Sequence, residues 1–178
     1  KGMLAMSSVA GTSGVRIYGV LAGLEAGASG GFHIHSGFGC TATQGSLDVY
    51  AGGHFYDGLS TDPWNIVTYT TNGDGVAMVD VTLPDFTVEP GSVRSVSGRT
   101  VVVHLSSAMN GARVACGQIA PYGAGEADVV TIVQYPEYSG AREVRGMVLE
   151  RPTSSEVVFS GVLAGLEPSV SGGWHVHT

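Results

Sequence analysis

Apolar residues fall in short runs along this chain, and no run keeps the i, i+3, i+4, i+7 spacing of an amphipathic helix through three turns. The runs have the length of strands instead. Gly2–Val9, Val15–Ala22, Gly31–Ser36, Val76–Leu83, Arg99–Ser106, Ala112–Ile119, Val129–Tyr135, Glu143–Glu150 and Glu156–Ala164 are predicted as β-strands. Turn residues punctuate them, among them Gly11-Thr-Ser-Gly14, Asn72-Gly-Asp-Gly75 and Asn110-Gly111. Many short strands joined by glycine-rich turns predict an all-β sandwich or barrel.

The pattern also returns. Gly19-Val-Leu-Ala-Gly-Leu-Glu25 and Ser29-Gly-Gly-Phe-His-Ile-His35 recur as Gly161-Val-Leu-Ala-Gly-Leu-Glu167 and Ser171-Gly-Gly-Trp-His-Val-His177. The offset is 142 residues, and 12 of the 18 positions from Gly19 to Ser36 are identical. Upstream, Lys1-Gly-Met3 answers Arg145-Gly-Met147, two residues out of step, as an altered hairpin loop would give. A period this long makes each repeat a domain, not a solenoid unit. The expected division is a complete domain over 1–122, a linker or connecting strand over 123–142, and the opening strands of a second, incomplete repeat over 143–178. The stretch Gly123-Ala-Gly-Glu-Ala127 reads as the start of the linker.

Composition narrows the functional classes. The 178 residues are 43% hydrophobic and 13% charged, enough for a packed core and too apolar for disorder. There are 28 glycines, without a Gly-x-y period, so collagen is excluded. Net charge is −7, Lys1 is the only lysine and seven arginines are scattered. No basic stripe exists to follow a phosphate backbone, which argues against a nucleic-acid partner. No apolar run approaches the about 18 residues of a membrane span. No signal-peptide pattern opens the chain, which reads as a mature segment or a fragment.

Candidate chemistry lies in the histidines and cysteines. Cys40 and Cys116 show no Cys-x-x-Cys spacing, which leaves two buried thiols or one long-range disulfide. His33 and His35 are two apart on a predicted strand, so both rings leave the same face and can reach one ion. Imidazole pairs suit copper, zinc, iron or nickel better than calcium or magnesium. His54 follows two glycines, and His104 ends the apolar strand Val101-Val-Val-His104. A lone histidine on such a strand is usually a core residue. Four within one repeat favour a metal site.

In order and context, Gly31-Phe-His-Ile-His35, Cys40, Gly53-His-Phe55, Asn72-Gly-Asp-Gly-Val-Ala77, Gly98-Arg-Thr-Val-Val-Val-His104 and Arg113-Val-Ala-Cys-Gly117 resemble the copper/zinc superoxide dismutase family. The resemblance covers about residues 1–120 and the repeated fragment 145–178. It implies an eight-stranded Greek-key β-barrel with copper on His33, His35, His54 and His104, and a partial second site on His175 and His177. It also implies a Cys40–Cys116 disulfide, an oxidising extracellular setting, and Arg113 as the guanidinium that draws superoxide to the copper.

Two departures matter. Zinc-containing members carry further histidines and an aspartate after the bridging histidine, whereas here residues 55–72 offer only Asp57 and Asp62 as charged groups. Zinc is expected to be absent. The segment between His104 and Arg113 is eight residues long, so the family's charged guiding loop is missing. Both losses resemble the copper-only branch, and the repetition resembles its repeat-protein members. Some other group must then orient the far nitrogen of His54; Asp62 is the first candidate and Asp57 the second. Against this, Asp62 before Pro63 could simply start a turn. Thr100, Tyr56 and Trp64 could line the site or pack the core.

Three functions compete: copper-dependent superoxide dismutation, a structural subunit of an extracellular filament or matrix, and copper binding without turnover. Keeping four ligands together with Arg113 favours the enzyme. The closing segment matches a quarter of a barrel, which would leave Val157, Phe159, Val162 and Leu163 in water. Further repeats or identical subunits are expected to complete it, within an extended assembly.

Overall fold

A computed structural model describes residues 1–40, 51–105, 112–120, 128–132, 144–152 and 154–176. The strands in chain order are β1 (Gly2–Ser8), β2 (Gly14–Ala22), β3 (Ser29–His35), β4 (Thr68–Thr70), β5 (Val76–Pro84), β6 (Thr100–His104), β7 (Arg113–Gln118), β8 (Asp128–Ile132), β9 (Arg145–Pro152) and β10 (Val157–Ala164). A 3₁₀ turn spans Pro63–Ile66. All strand pairing is antiparallel, in three sheets ordered β1-β2-β5, β4-β3-β6-β7 and β10-β9-β8. The all-β expectation is met. Seven strands fall within 1–122, and among the described residues they form two open sheets rather than one hydrogen-bonded ring.

The core lies between these two sheets. β2 and β5 send Val15, Ile17, Leu21, Ala77, Val79 and Leu83 inward, and the facing sheet answers with Phe32, Ile34, Tyr69, Val101 and Val103. Period-two alternation dictates this, because every second side chain of a strand leaves the same face. Phe55, Trp64 and Phe86 plug one side of the sandwich, with Phe86 centred 5.8 Å from Phe55 and 5.2 Å from Trp64.

Predicted and observed elements differ in three places. Of the predicted Arg99–Ser106, Thr100–His104 is strand, with a register shift between Val103 and His104, and Ser106 lies outside the described residues. β4 is only three residues long and exists through its pairing of Thr68, Tyr69 and Thr70 with Gly31, Gly30 and Ser29. β8 falls inside 123–142 and pairs with β9, from Asp128 opposite Glu150 to Ile132 opposite Gly146. Asn110-Gly111 and Gly123-Ala-Gly-Glu-Ala127 lie outside the described residues.

The two hairpins made from the repeated sequence share their register. Met3 opposes Val20 in one and Met147 opposes Val162 in the other, which matches the two-residue slip of the sequence. At Gly19 a side chain would run into the Met3 carbonyl, and at Gly161 into the Met147 carbonyl. Glycine is required at both crossings.

Candidate metal centre

β3 separates its residues by face: Phe32 and Ile34 enter the core, while His33 and His35 emerge on the other side. The His33 ring folds back over its own strand. A Cβ on Gly31 would lie 2.6 Å from the His33 Cε1 and Nε2, so this position must be glycine. His104 sits just past the irregularity at the end of β6, where it opposes Arg113 of β7. His54 arrives from the loop. Gly53 and Phe55 exchange backbone hydrogen bonds with Ser36 and Ile34, which lays His54 beside His35 as an isolated bridge.

These four imidazoles converge. Their nearest nitrogens all lie within 4.8 Å of one another, and His33, His35 and His104 are buried. Bonds of about 2.0–2.1 Å to one ion keep donors within about 4.2 Å of each other, so the rings need draw in only slightly. The His33 Nδ1 and His35 Nε2 are buried and have no hydrogen-bond partner in the protein. Buried polar atoms are rarely left so. A cation among the four rings would satisfy both, so the residues fit a metal.

Two of the rings have a partner on their other nitrogen. The Gly52 carbonyl accepts from His35 Nδ1 at 2.8 Å and from an Arg113 guanidinium nitrogen at 3.0 Å. That fixes the proton of His35 on Nδ1 and frees Nε2. His54 Nδ1 lies 2.7 Å from Asp62 Oδ2, leaving its Nε2 for the cluster. Tyr69 Oη donates to the His104 carbonyl at 2.7 Å and steadies the end of β6.

Asp62 acts twice. Its Oδ1 accepts the Trp64 backbone N–H at 2.9 Å and caps the 3₁₀ turn, whose first position is Pro63. Asp62 thus caps the turn with one oxygen and meets His54 with the other. Trp64, fully buried, donates its indole N–H to the Phe55 carbonyl at 2.5 Å and ties the turn back to His54's neighbour.

Burial pushes the His33 pKa down to about 3, helped by the His54, His104 and His35 rings and opposed by Asp62. Burial likewise brings His35 down to about 4, aided by Arg113 and opposed by the bond to Gly52. Both rings are therefore neutral at pH 7, the form in which imidazole binds a metal.

The remaining candidates sort themselves by position. Asp57 is exposed and acts electrostatically on Arg99; it is Asp62 that meets His54. Thr100 is buried and donates to the Gly39 carbonyl at 3.1 Å, and Trp64 belongs to the core. Tyr56 is exposed. Cys40 and Cys116 are bonded, with Cα atoms 5.7 Å apart. His175 is exposed, with its ring 3.0 Å from where a Cβ on Gly173 would stand, the fold-back seen at Gly31 and His33. His177 lies outside the described residues.

Sequence reasoning missed three contributors. The Gly52 carbonyl is backbone and leaves no side-chain signal. Tyr69 reads as one more aromatic. Arg99 stacks 3.3 Å from the Phe55 ring centre and donates to the Ser36 carbonyl at 2.6 Å, joining the start of β6 to the end of β3.

Comparison with known proteins agrees with this geometry. No curated protein sequence matches the chain. Among solved structures, a SOD-like protein from Bacillus subtilis is similar over 66% of this chain and 89% of its own, at 20% identity and a TM-score of 0.55. A double mutant of a SOD-like protein from the same organism covers 67% and 88%, at 22% identity and a TM-score of 0.54. At such identities the likeness speaks for the fold. The sequence profile of copper/zinc superoxide dismutase (SODC) matches residues 1–119, about two thirds of the chain. The chain belongs to the copper/zinc superoxide dismutase family.

Proposed function

We propose that this chain is a copper-only superoxide dismutase carrying one complete site, followed by the opening of a second copy of the same domain. His33 would hold copper through Nδ1 and His35 and His54 through Nε2, with His104 as the fourth ligand. Bound there, copper supplies one-electron exchange, oxidising one superoxide to oxygen and reducing a second to hydrogen peroxide. The protein's own part is to hold four neutral rings in place and to bring the anion in. Arg113, anchored on Gly52, supplies local positive charge in a chain of net charge −7. A near field of this kind matters more to a small anion than net charge does.

The observation that carries the copper-only reading is the 2.7 Å contact between His54 Nδ1 and Asp62. In zinc-containing relatives that nitrogen faces the second metal. Here a carboxylate accepts a hydrogen bond from the Nδ1–H and so keeps Nε2 toward the cluster. Residues 55–72 contain no histidine to hold zinc. The domain division at 1–122, 123–142 and 143–178, and an extracellular setting consistent with the disulfide, belong to the same proposal.

Metal analysis and superoxide turnover on the full chain test it. One copper per chain, no stoichiometric zinc and turnover abolished by His54→Ala are expected. Copper bound without turnover would leave the structural reading in force. That reading is a building block of a filament or matrix, and its support is the repetition within the sequence. Stoichiometric zinc beside Asp57 or Asp62 would overturn the copper-only reading.

A further inference from the structure

The sheet β1-β2-β5 is apolar on both faces at one end. Its inner face packs on the metal-bearing sheet through Val15, Ile17 and Leu21. Its outer face carries Met3, Ala5, Tyr18, Val20, Ala22 and Val76, and these form a second cluster with Met147 of β9 and Ala164 of β10. The burial of β2 records the cover: Arg16 is exposed and bonds Asp80 at the open end, whereas Gly19, Val20 and Leu21 are buried in succession. β10 records it too. Ala164 is buried and Val162 half-buried, while the alternate positions Gly161 and Leu163 are exposed.

The residues that meet are equivalents. Met147 answers Met3, and Ala164 answers Ala22, in the repeated sequence. The strand contacts are reciprocal as well, because β9 lies against β2 and β10 against β1. Exchanging the copies turns β1 into β9 and β2 into β10, and the set of contacts maps onto itself. A head-to-tail stack would bring two different surfaces together. Identical surfaces meeting reciprocally are the mark of an isologous, two-fold contact, which closes on itself.

We infer that the outer face of this hairpin sheet is the docking surface between successive copies of the domain, and that it joins them in pairs about an approximate two-fold axis. Its partner is the equivalent face of another copy: apolar, flat and centred on the methionine. Copies beyond these two then pair in twos through this face, and extended assembly must use some other surface. The inference rests on reading 143–178 as the opening of a second copy, but it is independent of copper and is tested on metal-free chain.

Spin-label distances decide it. The structure leaves no free cysteine among the described residues, so introduced cysteines label singly. Arg16 and Val158 are equivalent exposed positions, and so are Glu25 and Glu167. A two-fold axis requires the Arg16→Cys/Glu167→Cys distance to equal the Glu25→Cys/Val158→Cys distance, within the few ångströms of label freedom. Both distributions should be narrow, and Met147→Glu should broaden both. Narrow but unequal distances would mean head-to-tail packing and overturn the inference. Broad distributions in the chain with Met147 intact would mean no fixed pairing, and overturn it equally. Superoxide turnover enters none of these readouts, so failure of the copper reading would be seen separately.

Discussion

At the scale of single residues, Asp62 joins the cap of a turn to the orientation of His54. Asp62→Asn keeps a cap acceptor but loses the charge that holds the Nδ1 proton. Loss of such a supporting partner typically costs roughly 10–100-fold in metal affinity or activity. We expect that loss in copper competition and superoxide turnover, with little change in thermal stability. Equal turnover in the variant would reduce Asp62 to a cap. The histidines make a second prediction. His33 and His35 protonate at about 3 and about 4 when folded, against 6.5 for a free imidazole. Below 6.5 the unfolded chain takes up protons that the folded chain refuses, so stability is full above that pH and drains away as pH falls toward 4 and below. Urea midpoints of metal-free chain should drop between pH 7.5 and pH 5, and by less in His33→Leu. A flat profile would show that the rings are not desolvated. His33 and His35 were legible as a metal-binding pair because two histidines on one face of a strand are rare and chemically specific. The Gly52 carbonyl was not, since any residue type carries one.

At the scale of elements, the Cys40–Cys116 bond ties the loop end after β3 to the middle of β7 across 76 residues of chain. Closing a loop of that length stabilises by roughly 4–5 kcal/mol in the chain-entropy model. Gln118 reinforces the same junction by donating to the Phe38 and Gly98 carbonyls at 2.9 and 3.0 Å. Reduction should therefore lower the melting temperature and weaken copper binding together. If copper affinity were unchanged after reduction, the bond would hold the fold without holding His54. Long strands such as β2 and β5 could be read from alternation alone. β4 could not, because three residues gain strand geometry only from the partner they meet. β8 was visible as an apolar run, but its membership in the second hairpin sheet depends on its pairing with β9, which alternation does not reveal.

At the scale of the whole molecule, equivalent positions of the two copies have opposite fates. Ile17 is 1% exposed and its counterpart Phe159 37%; Phe32 is 2% exposed and Trp174 55%. The same repeated sequence is core at its first occurrence and surface at its second among the described residues. An exposed apolar face of this kind binds hydrophobic dyes and other strands. The chain should bind such a dye, and Phe159→Ser with Trp174→Ser should remove most of that signal while copper stoichiometry is unchanged. Undiminished dye binding would place the sticky surface elsewhere.

β2 is the strand on which these scales meet. Its odd positions, Val15, Ile17 and Leu21, face the sandwich interior behind the metal sheet; its even positions, Tyr18, Val20 and Ala22, face the neighbouring copy. Two instructions are thus interleaved in one strand, like alternate lines of a shared page. A point substitution edits one and spares the other, so the packing behind the histidine cluster and the packing between hairpin sheets can diverge independently as the sequence drifts. An inserted or deleted residue has no such freedom: it moves every side chain to the opposite face and scrambles both instructions in a single event.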